Sequence, residues 1–242
     1  GLPTTAGSSL LENNIAAADA TVIRRLTQAG MVLLGKTHTV QFGYGGVGIN
    51  HHHGTPHNPW HSVPHAPGGS SSGSGVAVAA GMVPMALGSD TGGSVRIPSS
   101  LCGTVGLKTT VGQISRAGVF PLSWTLDSVG PLTRSVEDAA LVYQCLQGSD
   151  PQDPSTQGIP PQDVLTRLKD GVRGLRLAFA ETIFWDQVDA EVAQAVRSCG
   201  EVFSGLGAHI DSIEFPEGAE AQELNPRGVA VAAGAYTIHQ AR

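Results

Sequence analysis

Glycine placement constrains this chain more than any other feature. Glycine supplies 32 of the 242 residues, about 13% against the ~7% of average usage. It follows no Gly-X-Y period, and proline stands at only 15, which excludes a collagen-like fibre. Apolar residues at 40% and charged residues at 14% exclude disorder driven by low hydrophobicity and high charge. What remains is a globular chain with many tight backbone turns. Those turns concentrate in two glycine–serine segments, GGSSSGSG at 68–75 and GSDTGGS at 88–94.

The charge balance narrows the partners. A formal charge of −6 and a pI near 5.8 argue against a surface for nucleic acid or for an anionic membrane, both of which want a basic stripe. The longest weakly polar run, 75–88, is broken by Gly81 and Pro84 and falls short of the ~20 residues a membrane span requires. Three cysteines, Cys102, Cys145 and Cys199, with no C-x-x-C pair, fit a reduced, cytoplasmic protein better than a disulfide scaffold. The chain opens on Gly1 with no signal segment and runs to Arg242 without a stop pattern, so a piece of a longer polypeptide is expected.

Periodicity predicts a helix capped by Asp19, with Val22, Ile23, Leu26 and Ala29 on one face, ending at Gly30. Residues 31–34 read as a buried strand, 76–80 as a small-residue helix, and 83–87 and 105–107 as strands. Ser135 followed by Asp138 forms a capping box that opens a helix over 135–146. Pro and polar residues over 149–161 read as a linker, after which strand (175–180), helix (190–206) and strand (209–213) precede a final helical stretch. Helices alternating with short strands indicate an α/β architecture.

Three motif matches fail on context. GMVLLGKT at 30–37 satisfies the P-loop pattern, but a helix ends at its first glycine, where a P-loop would have a preceding strand. GYGGVG at 43–48 fits G-x-G-x-x-G, but no strand leads into it and no amphipathic helix follows. GSSSG at 69–73 would place Ser71 on a nucleophile elbow, yet HSVPHAPG precedes it and only His209 and His239 follow; it stands as a rival site.

In the second glycine–serine segment, Asp90-Thr91-Gly92-Gly93-Ser94 follows an expected strand and enters a turn. Its glycines permit positive φ and expose successive backbone N–H groups. Such a row suits an oxyanion hole, with Ser94 Oγ placed to attack the carbonyl whose charge the donors receive. Taken alone, the same sequence also reads as a solvated Gly/Ser turn. Asp90 and Arg96 flank it and read either as an ion pair that stiffens the turn or as a surface pair.

The order and spacing of these segments resemble the amidase signature family of serine hydrolases. The resemblance extends over roughly residues 1–155 through GLPTTAGS (1–8), GKT (35–37), GTPHNPW (54–60), GTVGLKT (103–109), LDSVGP (126–131) and TRSVEDA (133–139). It implies an α/β fold with a central mixed sheet covered by helices, here incomplete. Residues 1–150 would form the signature core with the nucleophile, 151–161 a linker-like stretch, and 162–242 the start of the C-terminal half. It also implies a Ser-cisSer-Lys triad with Ser94 as nucleophile and Ser70 as the serine after a cis peptide bond. Thr91, Gly92, Gly93 and Ser94 would supply the oxyanion hole through their N–H groups, with Ser71, Asp90 and Arg96 in support.

The family's lysine lies upstream of the segment matching Gly1. Lys36 and Lys108 fall on structural landmarks and Lys169 lies beyond the linker, so none is a credible substitute. The chain by itself is therefore expected to be inactive or nearly so.

The implied function is hydrolysis of a small-molecule carboxylic amide to acid and ammonia or amine, without metal or cofactor, by a homo-oligomer or a lone chain. Within the family the alternative is the glutaminase component of a tRNA-dependent amidotransferase, its A-type chain, with a B-type chain as partner. Ile97 stands where that component usually has Gln, which favours a stand-alone amidase. A non-catalytic binding homologue is the reading from a different class. The run His51, His52, His53, His57, His61 and His65 has no Cys, Asp or Glu to complete a metal site. Cys102 has no base beside it and reads as core packing.

Overall fold

The computed structural model describes residues 1–240. The chain forms two compact units. One comprises residues 1–166 together with the chain from residue 231, and the other comprises residues 167–230.

In the first unit the helices are α1 (Thr21–Gln28), α2 (Ser72–Ala79), α3 (Arg96–Cys102), α4 (Val136–Leu146) and most of α7 (Val229–His239). Its sheet has the order β1-β3-β2, antiparallel throughout, from β1 (Met85–Asp90), β2 (Val105–Gly106) and β3 (Ser128–Thr133). All six residues of β3 are buried, as its central position requires. β2 stops early because Leu107 N–H donates to the Pro131 carbonyl at 3.1 Å and proline has no N–H to return the bond. One face of this sheet meets Val22 and Leu26 of α1 and Val142, Tyr143 and Leu146 of α4. A second cluster, Val78, Ala86, Val95 and Leu132, joins α2 to the sheet.

Several local expectations shift. The helix over 21–28 is capped by Ala20 without a side-chain bond. Asp19 lies one residue too early for its carboxylate to serve as N-cap, and its carbonyl accepts Arg24 Nη1 at 2.7 Å instead. Residues 31–34 form no strand, and Val32 and Leu34 are 81% and 75% exposed. An apolar run becomes a strand only where a ladder partner exists, and none of the described residues supplies one. Within 149–161, residues Asp150 and Thr156 are buried. Asp150 Oδ2 accepts the Thr21 and Ser115 hydroxyls at 2.6 and 2.5 Å, and Thr156 is fully buried. Ser135 caps the helix as expected, its hydroxyl accepting the Asp138 amide at 3.0 Å. The Asp138 carboxylate, however, accepts that hydroxyl at 2.7 Å and does not return a bond to the Ser135 amide, so the box is only half formed.

The second unit is built on β4 (Arg176–Ala180) and β5 (His209–Ile213), paired in parallel through α5 (Ala190–Gly205), with α6 (Pro216–Leu224) following. Parallel pairing demands such a crossover. Arg197 lies 3.8 Å from the Trp185 ring centroid and pairs with Glu181. The fold class is α/β, and no helix among the described residues is long and apolar enough to cross a membrane.

Candidate active site

Strand β1 ends at Asp90 and α3 begins at Arg96, so residues 91–95 form a strand-to-helix turn with Ser94 inside it. The Asp90 carboxylate, 1% exposed, organises this turn. Oδ1 accepts the Gly93 amide at 2.8 Å, and Oδ2 accepts the Val95 and Arg96 amides at 3.1 and 3.4 Å. Arg96 Nε and Nη2 donate to the same two oxygens at 3.0 and 2.9 Å. Burial alone would push the Asp90 carboxyl up. The Arg96 hydrogen bonds, the Val95 and Gly93 amides and the Arg96 charge outweigh it and hold the group below the usual carboxylate range. Gly93 takes φ +131°, which the turn needs and which an L side chain rarely adopts.

This arrangement engages one of the expected row of donors. Gly93 N–H donates to Asp90 Oδ1, whereas the Asp90 carboxylate takes none of the Thr91, Gly92 and Ser94 amides. Asp side chains commonly bond nearby backbone amides in turns, and here the carboxylate engages the Gly93 donor.

The first glycine–serine segment reaches the same place from the other side. The Gly69–Ser70 peptide bond is cis. The Ser70 carbonyl accepts Val40 N–H at 3.1 Å, the Thr39 hydroxyl at 2.9 Å and Ser72 N–H at 2.8 Å. Ser71 N–H donates to the Ser94 carbonyl at 3.2 Å, which joins the two segments. Ser70 is 1% and Ser94 9% exposed. No hydrogen bond links their hydroxyls; the bonds they make here are through the backbone. A cavity of about 230 Å³ lies alongside, lined in part by Thr39, Phe42, Gly43, Gly88, Ser89 and Phe120. A larger open groove of about 450 Å³ in the second unit is lined by Phe179, Arg197 and Ile210 among others and shares no residue with this site.

Ser71, the rival nucleophile, has a different job. It is 6% exposed, and its hydroxyl accepts Ser89 N–H at 3.3 Å and donates to the Ser89 carbonyl at 3.4 Å. Ser74 likewise donates to the Leu87 carbonyl at 2.7 Å. Two serines of the α2 end thus satisfy the outer edge of β1. Their helix can close on that edge because Gly88 has no side chain: a Cβ there would lie 2.6 Å from Ser71 Oγ.

Lys36 and Lys108 make contacts other than to Ser70. Lys36 Nζ donates to the Pro3 carbonyl at 2.8 Å and to the Thr4 hydroxyl, and Lys108 Nζ to the Thr109 carbonyl at 2.7 Å. Lys169 belongs to the second unit. Among the described residues no group of three or more His, Cys, Asp or Glu is placed to hold a metal. Cys102 is buried, its thiol pushed up to about 11 by burial and donating to the Pro67 carbonyl at 3.4 Å.

Two polar residues absent from the sequence-derived site touch the turn. Thr91 Oγ1 donates to Asp127 Oδ1 at 2.5 Å, and Ser128 Oγ donates to the Asp90 carbonyl at 3.0 Å. Both lie in the LDSVGP landmark, the only sequence signal that could have marked them.

Comparison with known proteins places these features. The family model described as Amidase matches residues 1–241. The A subunit of glutamyl-tRNA(Gln) amidotransferase from Anaeromyxobacter sp. (strain K) is 44% identical over 216 residues, which is 89% of this chain and 44% of the relative. Among solved structures, the A subunit of glutamyl-tRNA(Gln) amidotransferase from Thermotoga maritima superposes with a TM-score of 0.88 and 36% identity, covering 98% of this chain and 52% of that one. The native peptide amidase from Stenotrophomonas maltophilia gives 0.84 at 35% identity, covering 98% and 51%. The chain spans about half the length of the curated relatives it matches. With a family match over nearly its whole length, this chain belongs to the amidase signature family.

Proposed function

We propose that this chain carries the nucleophile of an amide hydrolase. The observation that carries the reading is the backbone union of two serine segments, Ser71 N–H to Ser94 carbonyl at 3.2 Å, beside amides that Asp90 leaves unspent. Ser94 Oγ attacks the amide carbonyl carbon while Ser70 Oγ takes its proton and passes its own to a base. Negative charge on the carbonyl oxygen falls to the Thr91, Gly92 and Ser94 amides. The proton returns through Ser70 to the leaving nitrogen, the C–N bond breaks, and water hydrolyses the Ser94 ester by the same relay in reverse. The base in this reading is the lysine of the Ser-cisSer-Lys triad that the family resemblance implies; Lys36 and Lys108 make other contacts.

For the substrate, we infer glutamine, with ammonia passed to a partner protein. The support is the relationship to the glutamyl-tRNA(Gln) amidotransferase component, with 44% identity over 89% of the chain. The second reading, a stand-alone amidase, is favoured by Ile97 and by the likeness to a peptide amidase. Ile97 weighs less, because its side chain packs on Gly46 and Gly93, a role in the turn independent of substrate. Labelling of Ser94 by a fluorophosphonate in the presence of competing amides separates the two. The glutaminase reading expects L-glutamine to slow labelling and peptide amides to have no effect; the reverse pattern overturns it.

A further inference from the structure

Strand β3 brings the LDSVGP landmark against the nucleophile turn, with Ser128 in register with Asp90. Neither the relay nor the substrate reading gives Asp127 a task, yet it is 8% exposed and its side-chain bonds converge on two places. Oδ1 accepts the Thr91 hydroxyl at 2.5 Å, and Oδ2 accepts the Leu122 and Ser123 amides at 2.9 Å each. A buried carboxylate accepting three donors is held in one orientation, because moving it would strand buried N–H groups. Its own backbone is fixed as well. Arg116 Nη1 donates to the carbonyls of Trp124 and Asp127, while Arg116 Nε meets Asp153 at 3.3 Å with both side chains under a tenth exposed.

We propose that Asp127 is a positioning residue for the oxyanion turn, acting through the Thr91 hydroxyl. The proposal rests on Ser94 being the nucleophile. Asp90 holds the turn from within, through Gly93, Val95 and Arg96. Asp127 holds Thr91, which the Asp90 carboxylate does not reach and whose amide is among those left for an oxyanion. The peptide plane joining Thr91 to Gly92 carries the Gly92 N–H, so a Thr91 free to rotate would misdirect two donors at once. Misplacement of a reacting geometry by ~1 Å can cost about 100-fold in rate.

The test reads the second-order rate of Ser94 phosphonylation by a fluorophosphonate in the active enzyme, with the triad lysine present. In that reaction the Ser94 proton passes through Ser70 to the lysine as Oγ bonds phosphorus and fluoride leaves, so the rate reports the nucleophile and the oxyanion donors with no leaving amine to protonate. Thr91→Val, nearly isosteric, removes only the hydroxyl; Asp127→Asn keeps one acceptor oxygen for two sets of donors. Each is expected to slow labelling at least tenfold, through the maximal rate and not the probe's half-saturating concentration. The double variant is expected to be no slower than the slower single one, as for partners in one interaction. Thr91→Ser, which keeps the hydroxyl, recovers the rate that Thr91→Val loses. Thermal unfolding of Thr91→Val identifies a variant that has merely lost its fold. Labelling of Ser94 at equal rates in the unsubstituted enzyme, Thr91→Val and Asp127→Asn overturns the positioning role alone. Absence of Ser94 labelling in the unsubstituted enzyme with the triad lysine present overturns the nucleophile reading and this role with it.

Discussion

The amide of Ser71 donates to the carbonyl of Ser94 at 3.2 Å. These residues stand at the N-terminal end of one helix and just before another, and their contact is where the two glycine–serine segments meet. Ser71 also satisfies the outer edge of β1 at Ser89, so one residue fixes the helix, the strand and the nucleophile turn together.

Asp90→Ala removes the acceptor of the Gly93, Val95 and Arg96 amides. At ~1–3 kcal/mol for each buried donor left unpaired, partly relieved by entering water, the loss is expected to be about 3 kcal/mol in urea unfolding. Arg96→Ala is expected to cost about 1 kcal/mol or less, since the Arg96 side chain is 54% exposed and screened by solvent.

Acid stability follows from Asp153. Burial opposes ionisation, but the Arg116 amide, the Ser155 hydroxyl and the Arg116 guanidinium outweigh it and lower the carboxyl from 3.8 to about 2. A folded value below the unfolded one contributes stability that is present above about pH 4 and lost as pH falls through 2. The contribution is about 2 kcal/mol, read as a fall in the urea midpoint between pH 5 and pH 2. Asp153→Asn is expected to flatten that fall while lowering stability at neutral pH.

Thiol reactivity separates the cysteines. Cys102, at about 11, holds roughly a thousandth of its thiol as thiolate at pH 8 and is buried, whereas Cys199 is exposed. Iodoacetamide at pH 8 is expected to modify Cys199 in the folded chain and Cys102 only after unfolding in urea. Equal rates at both would contradict the packing.

Gly88→Ala places a Cβ 2.6 Å from Ser71 Oγ and 2.9 Å from Leu132 Cδ1. Overpacking of this kind costs about 1–3 kcal/mol, and here it pushes the Ser71 contact away from Ser94. The expected result is a lower melting temperature together with slower Ser94 labelling, the second effect exceeding what the same loss of stability causes at a distant site.

Much of the fold is readable along the chain where the signal is local. The N-cap at Ser135 needs only a near neighbour, the Asp138 amide. What escapes depends on partners distant in sequence. The strand Ser128–Thr133 contains Gly130 and Pro131, which argue against a central strand; it is central because Pro131 sits where the ladder to β2 ends. The helix Arg96–Cys102 is only seven residues long and contains Pro98. Residues 31–34 are apolar enough for a strand but find no ladder among the described residues. In the site, the Asp90–Arg96 pair lies within one turn and is visible in the sequence as a candidate. The Thr91–Asp127 bond joins residues 36 apart, and the Gly93 N–H bond to Asp90 depends on a side-chain rotamer that spacing does not encode.

Peptide mapping by mass spectrometry of the enzyme with the triad lysine present, after exhaustive fluorophosphonate treatment, tests the nucleophile assignment most directly. A single adduct on Ser94, abolished in Ser94→Ala, is the predicted result. An adduct on Ser71, or one that persists in Ser94→Ala, would contradict it.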